Sequence, residues 1–537
     1  MVRTERRLRV QTRFALISAM AALTVPATIT PASAAFRKTP ATKPTAKTTA
    51  KPTTKKKVVA TTIAPVPQTT VPPTAVASVA APVPASPLEF KSCGTGVECT
   101  TVSAPLDPAD PAGERVDLFV SRRKANNPAV RIGVLFVNPG GPGGPTFDLV
   151  RNASLIVSTE VLDHFDIIGV DPRGTERSSP LVCSGDSLRT ISVSGQSQAD
   201  RTRSAYSQLA QSCRSGEGHR LDFLDTPTAA KDIDAVRAAL GEDKISFIGL
   251  SYGTYLGATY QSLFPAHTAR MILDSAITPD HFGTPMFTDR AAAKEVALDG
   301  FLASCMNGQL APCAFNDGTD LRAKYIRVRN AFVTSSRSTA TGERVFDETI
   351  DSLIGYPKNG WPILGRALQE LASNSRPNFT YQVGDYRSID DRERQAPQDT
   401  FSELTNLAIN CRDGILPRSA AAYDFVATQI PQIAPRFSGL ALASALTSLT
   451  CLDWPALELA VPTFKPLGIP TLVIANRYDL TTPLLWSQTL AGNLTAPLLV
   501  REGGGHVAVD KSICVRDAVA RFLIDAVPSL TNNSCPG

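Results

Sequence analysis

Histidine is scarce in this 537-residue chain, which holds only His164, His219, His267, His281 and His506. Any chemistry that needs an imidazole must draw on one of these five. No two of the ten cysteines have the C-x-x-C spacing of a redox or zinc site, which speaks against a metal. Their even number leaves no thiol over, so a nucleophilic cysteine is not expected. Long apolar runs are missing too. The stretch Phe14 to Ile29 is short and broken by Pro26, a poor membrane span. Acidic residues are absent from Ala35 to Leu88. That stretch of Thr, Lys, Pro, Ala and Val cannot close a packed core and reads as an extended linker.

The first 34 residues have a different character. Arg3, Arg6, Arg7, Arg9 and Arg13 form a basic head, an apolar run follows, and Ala32-Ser33-Ala34 fits a small-residue cleavage site. This is the pattern of a secretory signal, 1–34, and Arg6-Arg7 raises the twin-arginine route. The signal carries +4 and the linker, 35–88, carries +8 of the chain's net +5, which leaves −7 on residues 89–537. A mildly acidic body argues against a nucleic-acid partner. The basic linker is a candidate for contact with anionic wall polymers or a membrane surface, beside the plainer reading of a soluble tether. An exported chain with ten cysteines is expected to be disulfide-bonded. The spacings favour pairs in chain order: Cys93–Cys99, Cys183–Cys213, Cys305–Cys313, Cys411–Cys451 and Cys514–Cys535.

In the body, short apolar runs alternate with helical patterns. Strands are expected at 115–120, 133–137, 165–170, 245–250, 270–274, 469–475 and 496–500. A helix is expected from Thr228, as its cap, to Leu240, and another over 517–526. Strand and helix in alternation define an α/β fold with a mostly parallel, doubly wound sheet. The first part of that core spans 89–275 and the last 468–537. Between them, 276–467 is mostly helical in tone, with helices expected at 290–301, 321–333, 361–371 and 401–409. An insertion there reads as a cap over the functional edge.

The organising stretch is Gly249-Leu250-Ser251-Tyr252-Gly253, a G-x-S-x-G pattern between a buried strand and a helix. That context makes Ser251 a candidate nucleophile on a turn too tight for neighbouring side chains. Upstream, Asn138-Pro139-Gly140-Gly141-Pro142-Gly143-Gly144 directly follows a strand. So many glycines suit a backbone approached closely by a ligand, and the N–H groups of Gly141 and Tyr252 are candidate oxyanion donors. The alternative is a plain Gly/Pro loop.

A serine nucleophile needs a base. His164 lies at the wrong end of a strand, His219 in a charged loop, and His267 at the far end of the elbow helix. His281 opens the insertion and is the rival. His506 sits in a glycine-rich loop just past a strand and is the choice. Asp479, in another post-strand loop, is the expected orienter, which gives the chain order Ser251, Asp479, His506. Asp274 ranks second, Asp413 and Asp453 behind it. Asp171 and Arg173 read as loop braces.

With these residues in place, 89–537 resembles the secreted α/β-hydrolases of the tripeptidyl aminopeptidase and proline iminopeptidase group. The carriers are the 138–144 loop, Asp171-Pro172-Arg173-Gly174-Thr175, the elbow, Ala408-Ile409-Asn410-Cys411-Arg412-Asp413, Cys451-Leu452-Asp453-Trp454-Pro455, and the Asp479 and His506 loops. The resemblance implies the α/β-hydrolase fold with a helical cap and a C-terminal segment of the tripeptidyl type. It also implies a secreted exopeptidase that removes short peptides or single residues from free N-termini. No cofactor is expected, and the chain is expected to be a monomer. Two positions depart from the group's pattern: Glu176 and Val507 stand where glycine is usual. An aminopeptidase needs a carboxylate for the substrate's ammonium, and Asp413 is the candidate, beside the plainer reading of a helix-end or surface aspartate next to a disulfide. Two other readings stay open, an esterase of small esters with the same triad and a non-catalytic binding protein on a hydrolase fold.

Overall fold

The computed structural model describes residues 88–183, 197–310, 312–336, 338–373, 403–525 and 533–537. The expected signal segment and all of the linker except Leu88 lie outside these residues.

Within them the chain lays down ten strands. They are β1 Lys91–Gly94, β2 Val97–Pro105, β3 Arg115–Arg123, β4 Gly133–Asn138, β5 Phe165–Val170, β6 Ile245–Leu250, β7 Thr268–Asp274, β8 Thr471–Tyr478, β9 Leu498–Gly504 and β10 Ser534–Pro536. One sheet holds them in the order β1-β2-β3-β5-β4-β6-β7-β8-β9-β10. The first three join antiparallel, and every pair from β5 through β10 is parallel. The expected doubly wound sheet is therefore present, with an antiparallel edge at its N-terminal side. β5 and β6 are buried along their whole length, as central parallel strands must be when helices cover both faces.

Alternation sorts β6 between those faces. Ile245 and Phe247 join the apolar cluster on one side, Ile248 and Leu250 that on the other. The helices Thr226–Ala239 and Tyr252–Leu263 cover the first side and Ile513–Asp525 the second. The 226–239 helix is capped by Asp225, whose carboxylate accepts from Thr228 N at 2.7 Å. Thr228 is thus inside the helix, not its cap. Asp is the stronger cap because it brings a charge to the helix N-terminus.

Between β7 and β8 the described chain is helical, with long helices Pro285–Met306, Leu321–Thr334, Thr339–Ile354 and Gly360–Ala372, then Glu403–Arg412 and Ala421–Ile433. The apolar cluster of the first sheet face runs on into these helices without a break. The five disulfides pair in chain order as expected. Cys183–Cys213 and Cys411–Cys451 close the longest loops and so remove the most freedom from the unfolded chain.

Arg173 and Asp171 brace the sheet's functional edge. Arg173 is buried and grips Asp232 through two nitrogens at 2.7 and 2.6 Å, and donates to Leu106 O at 2.7 Å. Asp171 accepts from both the N and the Oγ1 of Thr146, at 2.7 and 2.9 Å. A buried bidentate pair of this kind fixes geometry more than it adds stability.

Candidate active site

Parallel strands end on one edge. Register pairs Leu250 with Asp274 and Asp274 with Ile474, so the segments after β6, β7 and β8 leave the sheet side by side, with β9 next. Ser251 follows β6 directly. It sits at φ 57° and ψ −125°, which no ordinary strand or helix residue adopts. Such a conformation costs on the order of 1–3 kcal/mol and persists only where its surroundings impose it. Here Ser251 N donates to Asp274 O at 2.9 Å, while Ser251 O accepts from Thr254 N at 2.9 Å and Thr254 Oγ1 at 2.6 Å. The two flanking glycines are obligatory. A Cβ on Gly249 would stand 2.1 Å from Gly253 O, and one on Gly253 would stand 2.7 Å from Asn138 O.

The glycine-rich loop after β4 meets this turn. Its Gly140 N donates to Asn138 Oδ1 at 2.9 Å, and Gly144 N donates to Gly140 O at 2.9 Å. A Cβ on Gly140 would lie 2.4 Å from Leu250 O, 2.9 Å from Tyr252 N and 3.0 Å from Ser251 Cβ. The loop therefore runs against the elbow backbone itself. Gly141, at φ 115°, is the next residue. Tyr252 opens the helix Tyr252–Leu263, where an N–H has no partner within the helix. The segments carrying both expected oxyanion donors are thus adjacent, beside a serine that is 9% exposed.

Asp479 follows β8 and is 2% exposed. Its Oδ1 accepts from Thr481 N and Thr482 N, each at 2.9 Å, and its Oδ2 accepts from Thr482 Oγ1 at 2.9 Å. His506 Nδ1 lies 2.9 Å from Oδ2 and 3.3 Å from Oδ1. Burial alone would push this carboxyl up. The neighbouring imidazole and the Thr482 bonds outweigh it and hold the group below the usual aspartate range. Thr482 Oγ1 is also 3.3 Å from His506 Nδ1, so it touches both partners. Asp-x-x-Thr before a helix is a local turn signature that could have singled it out.

The His506 loop is pinned from below. Val507 N donates to Ser275 Oγ at 3.1 Å, and Ala508 N and Val509 N both donate to Asp274 Oδ2 at 2.9 Å. Asp274, second in line as orienter, meets the backbone beyond His506 rather than its ring. Burial raises its carboxyl to about 6 despite those two donors. Both positions that depart from the family's glycines have positive φ: Val507 at 69° and Glu176 at 20°. Glycine takes such angles without strain, and a β-branched valine is the costlier exception. His281, the rival base, is engaged elsewhere, with Nδ1 2.7 Å from Asp289 Oδ2 and Nε2 3.0 Å from Thr489 Oγ1.

Asp413 lies just past the helix Glu403–Arg412 and is 1% exposed. Its carboxylate accepts from Thr226 N at 3.1 and 3.3 Å and from Thr226 Oγ1 at 2.5 Å. Burial, with the charge of nearby Asp225, raises it to about 8 against the bonds from Thr226. The folded chain then binds one more proton than the unfolded chain between about pH 4 and pH 8. Stability from this group is present at low pH and lost as pH rises through that window. Asp413→Asn should flatten the decline of melting temperature between pH 5 and pH 9. An unchanged slope would show that Asp413 does not titrate there.

A serine on a strained elbow, at the strand edge that also carries a buried aspartate paired with a half-buried histidine, defines a serine hydrolase on a doubly wound sheet. Comparison with known proteins agrees. Residues 133–326 match the family described as alpha/beta hydrolase fold, and residues 439–535 match the one described as TAP-like protein. The chain is 32% identical over 459 residues to carboxylesterase B of Mycobacterium tuberculosis, covering 81% of this chain and 86% of that one. It is 27% identical over 504 residues to serine protease Hip1 of the same organism, covering 86% and 93%. Tripeptidyl aminopeptidase of Streptomyces coelicolor matches at 27% over 466 residues, covering 82% and 83%. The chain belongs to the α/β-hydrolase family and carries the TAP-like C-terminal segment. That match begins at residue 439, inside the span 276–467 expected to form the insertion.

Proposed function

We propose that the chain is a secreted serine aminopeptidase that removes short peptides or single residues from free N-termini. Ser251 attacks the scissile carbonyl, and His506 takes the serine proton and returns it to the leaving amine. Asp479 holds the imidazole tautomer, and the N–H groups of Gly141 and Tyr252 receive the oxyanion. An acyl-enzyme forms on Ser251, and water releases it. The carrying observation is the pairing of buried Asp479 with half-buried His506, 2.9 Å apart, on the strand edge that presents Ser251 at φ 57°. Relatives named as a serine protease and a tripeptidyl aminopeptidase support peptides as substrates. Five disulfides fit an oxidising, extracellular setting. Among the described residues no helix is long and apolar enough to cross a membrane.

A second reading, an esterase, is favoured by the carboxylesterase relative and by the burial of Asp413, whose oxygens already serve Thr226. One assay separates the two. A short Ala-Ala-Pro-type chromogenic peptide with a free N-terminus should be cleaved, its blocked counterpart spared. Turnover of a short ester with neither peptide touched would establish the esterase instead.

A further inference from the structure

Tyr252 directly follows Ser251 and is 2% exposed. The phenol hydroxyl touches Thr226 Oγ1, which in turn lies 2.5 Å from Asp413 Oδ2. Three distant parts of the chain meet there: the elbow helix, the first turn of the 226–239 helix, and the cap just past its helix Glu403–Arg412. We propose that Thr226 and Asp413 are positioning residues for the oxyanion side of the site. They hold the Tyr252 phenol and thereby fix the backbone N–H that Tyr252 presents beside Ser251. The inference rests on the reading of Ser251 as nucleophile and of that N–H as an oxyanion donor.

The geometry gives the chain a mechanical logic. A tyrosine ring is rigid beyond two torsions, so a bond at its far end restrains its Cα. Asp413 is itself held by the Cys411–Cys451 disulfide two residues earlier. The helix before it also grips the other donor segment. Asn406 Nδ2 donates to Pro142 O at 3.0 Å, next to Gly141, and Thr405 Oγ1 donates to Gly174 O at 2.5 Å. The helix thus holds the Gly141 side, and Asp413 just past its end reaches the Tyr252 side through Thr226.

The charged and titratable neighbours are Asp225, Arg412, Tyr252 and Tyr255, with Arg412 Nε 3.6 Å from Asp225 Oδ2. An ionised Asp413 accepts from the Thr226 hydroxyl, and a neutral one can donate to it. The hydroxyl is the relay in either state. It is not needed for capping, since Asp225 caps the same helix.

The test uses the full chain with Thr226→Val and Thr226→Ser, assayed on a short ester and on the free-N-terminus peptide. Thr226→Val should lower kcat about tenfold on both substrates, less than the 10²–10³-fold typical for loss of an oxyanion donor. KM should stay within about twofold, and Thr226→Ser should restore kcat to within about twofold of the parent. Melting curves of the two variants check that both are folded. An unchanged kcat in the valine variant, or an equal fall in the serine variant, overturns the proposal. So does a KM rise confined to the peptide, which would instead make Asp413 the reader of the substrate amine. Ser251→Ala run alongside separates the two levels. Activity surviving there sinks the underlying reading of the site, whereas a dead Ser251→Ala with a normal Thr226→Val sinks this inference alone.

Discussion

Replacing Ser251 with alanine is expected to lower turnover of both ester and peptide by a factor on the order of 10⁴–10⁶. The substitution removes one oxygen and changes little else. Alanine meets the same strain at φ 57° as serine does, and the backbone bonds to Asp274 O and from Thr254 N do not involve the side chain. Gly249 and Gly253 keep the close approach that makes the turn possible. Melting temperature should therefore move little while activity disappears. Active-site labelling with a fluorophosphonate should vanish in parallel. Retained turnover with labelling at another residue would place the nucleophile elsewhere.

The second large effect is at Asp479. Asp479→Asn should lower kcat by about 10⁴. The amide oxygen can still accept from Thr481 N and Thr482 N, so the loop is kept. The oxygen now 2.9 Å from His506 Nδ1 is the one at risk. An amide NH₂ there favours the tautomer protonated on Nε2, which cannot accept the serine proton. The native carboxyl is held below its usual range, so the folded chain gives up its proton more readily than the unfolded chain. This contribution to stability is complete above about pH 4 and is lost as pH falls through the folded value. The variant should lack that component of acid destabilisation. Near-native kcat in Asp479→Asn would remove Asp479 from the triad.

Most of the sheet was legible because a strand's signal is local. The runs at 165–170 and 245–250 are short, apolar and closed by turn residues, and β5 and β6 occupy those spans. β2 was missed because its inward residues Val97, Cys99, Val102 and Ala104 break phase at Thr100-Thr101, which hides the alternation. β10 is three residues long and exists through pairing with β9 and the Cys514–Cys535 bond. The helix Thr339–Ile354 was missed as well. Its N-cap is Ser338 and its buried face is Phe346, Ile350, Leu353 and Ile354, packed in the apolar cluster of the first sheet face.

The site divides along the same line. Ser251 and its two glycines were readable because the turn's demand for small neighbours acts within five residues. His506 and Asp479 were readable because each follows a strand, and parallel strands deliver their ends to one edge. The sequence by itself therefore determined the tight turn at Ser251, the strand-end loops and the order of the proposed triad. Only the tertiary structure decided that Asp274 ties down the His506 loop, that Thr482 also touches His506, and that Asp413 reaches Tyr252 through Thr226. Two of those contacts span 187 and 235 positions, Thr226–Asp413 and Asp274–Val509. Hydrogen bonds between such distant groups carry no periodicity, because their partners are chosen by how buried elements pack and not by any neighbour along the chain.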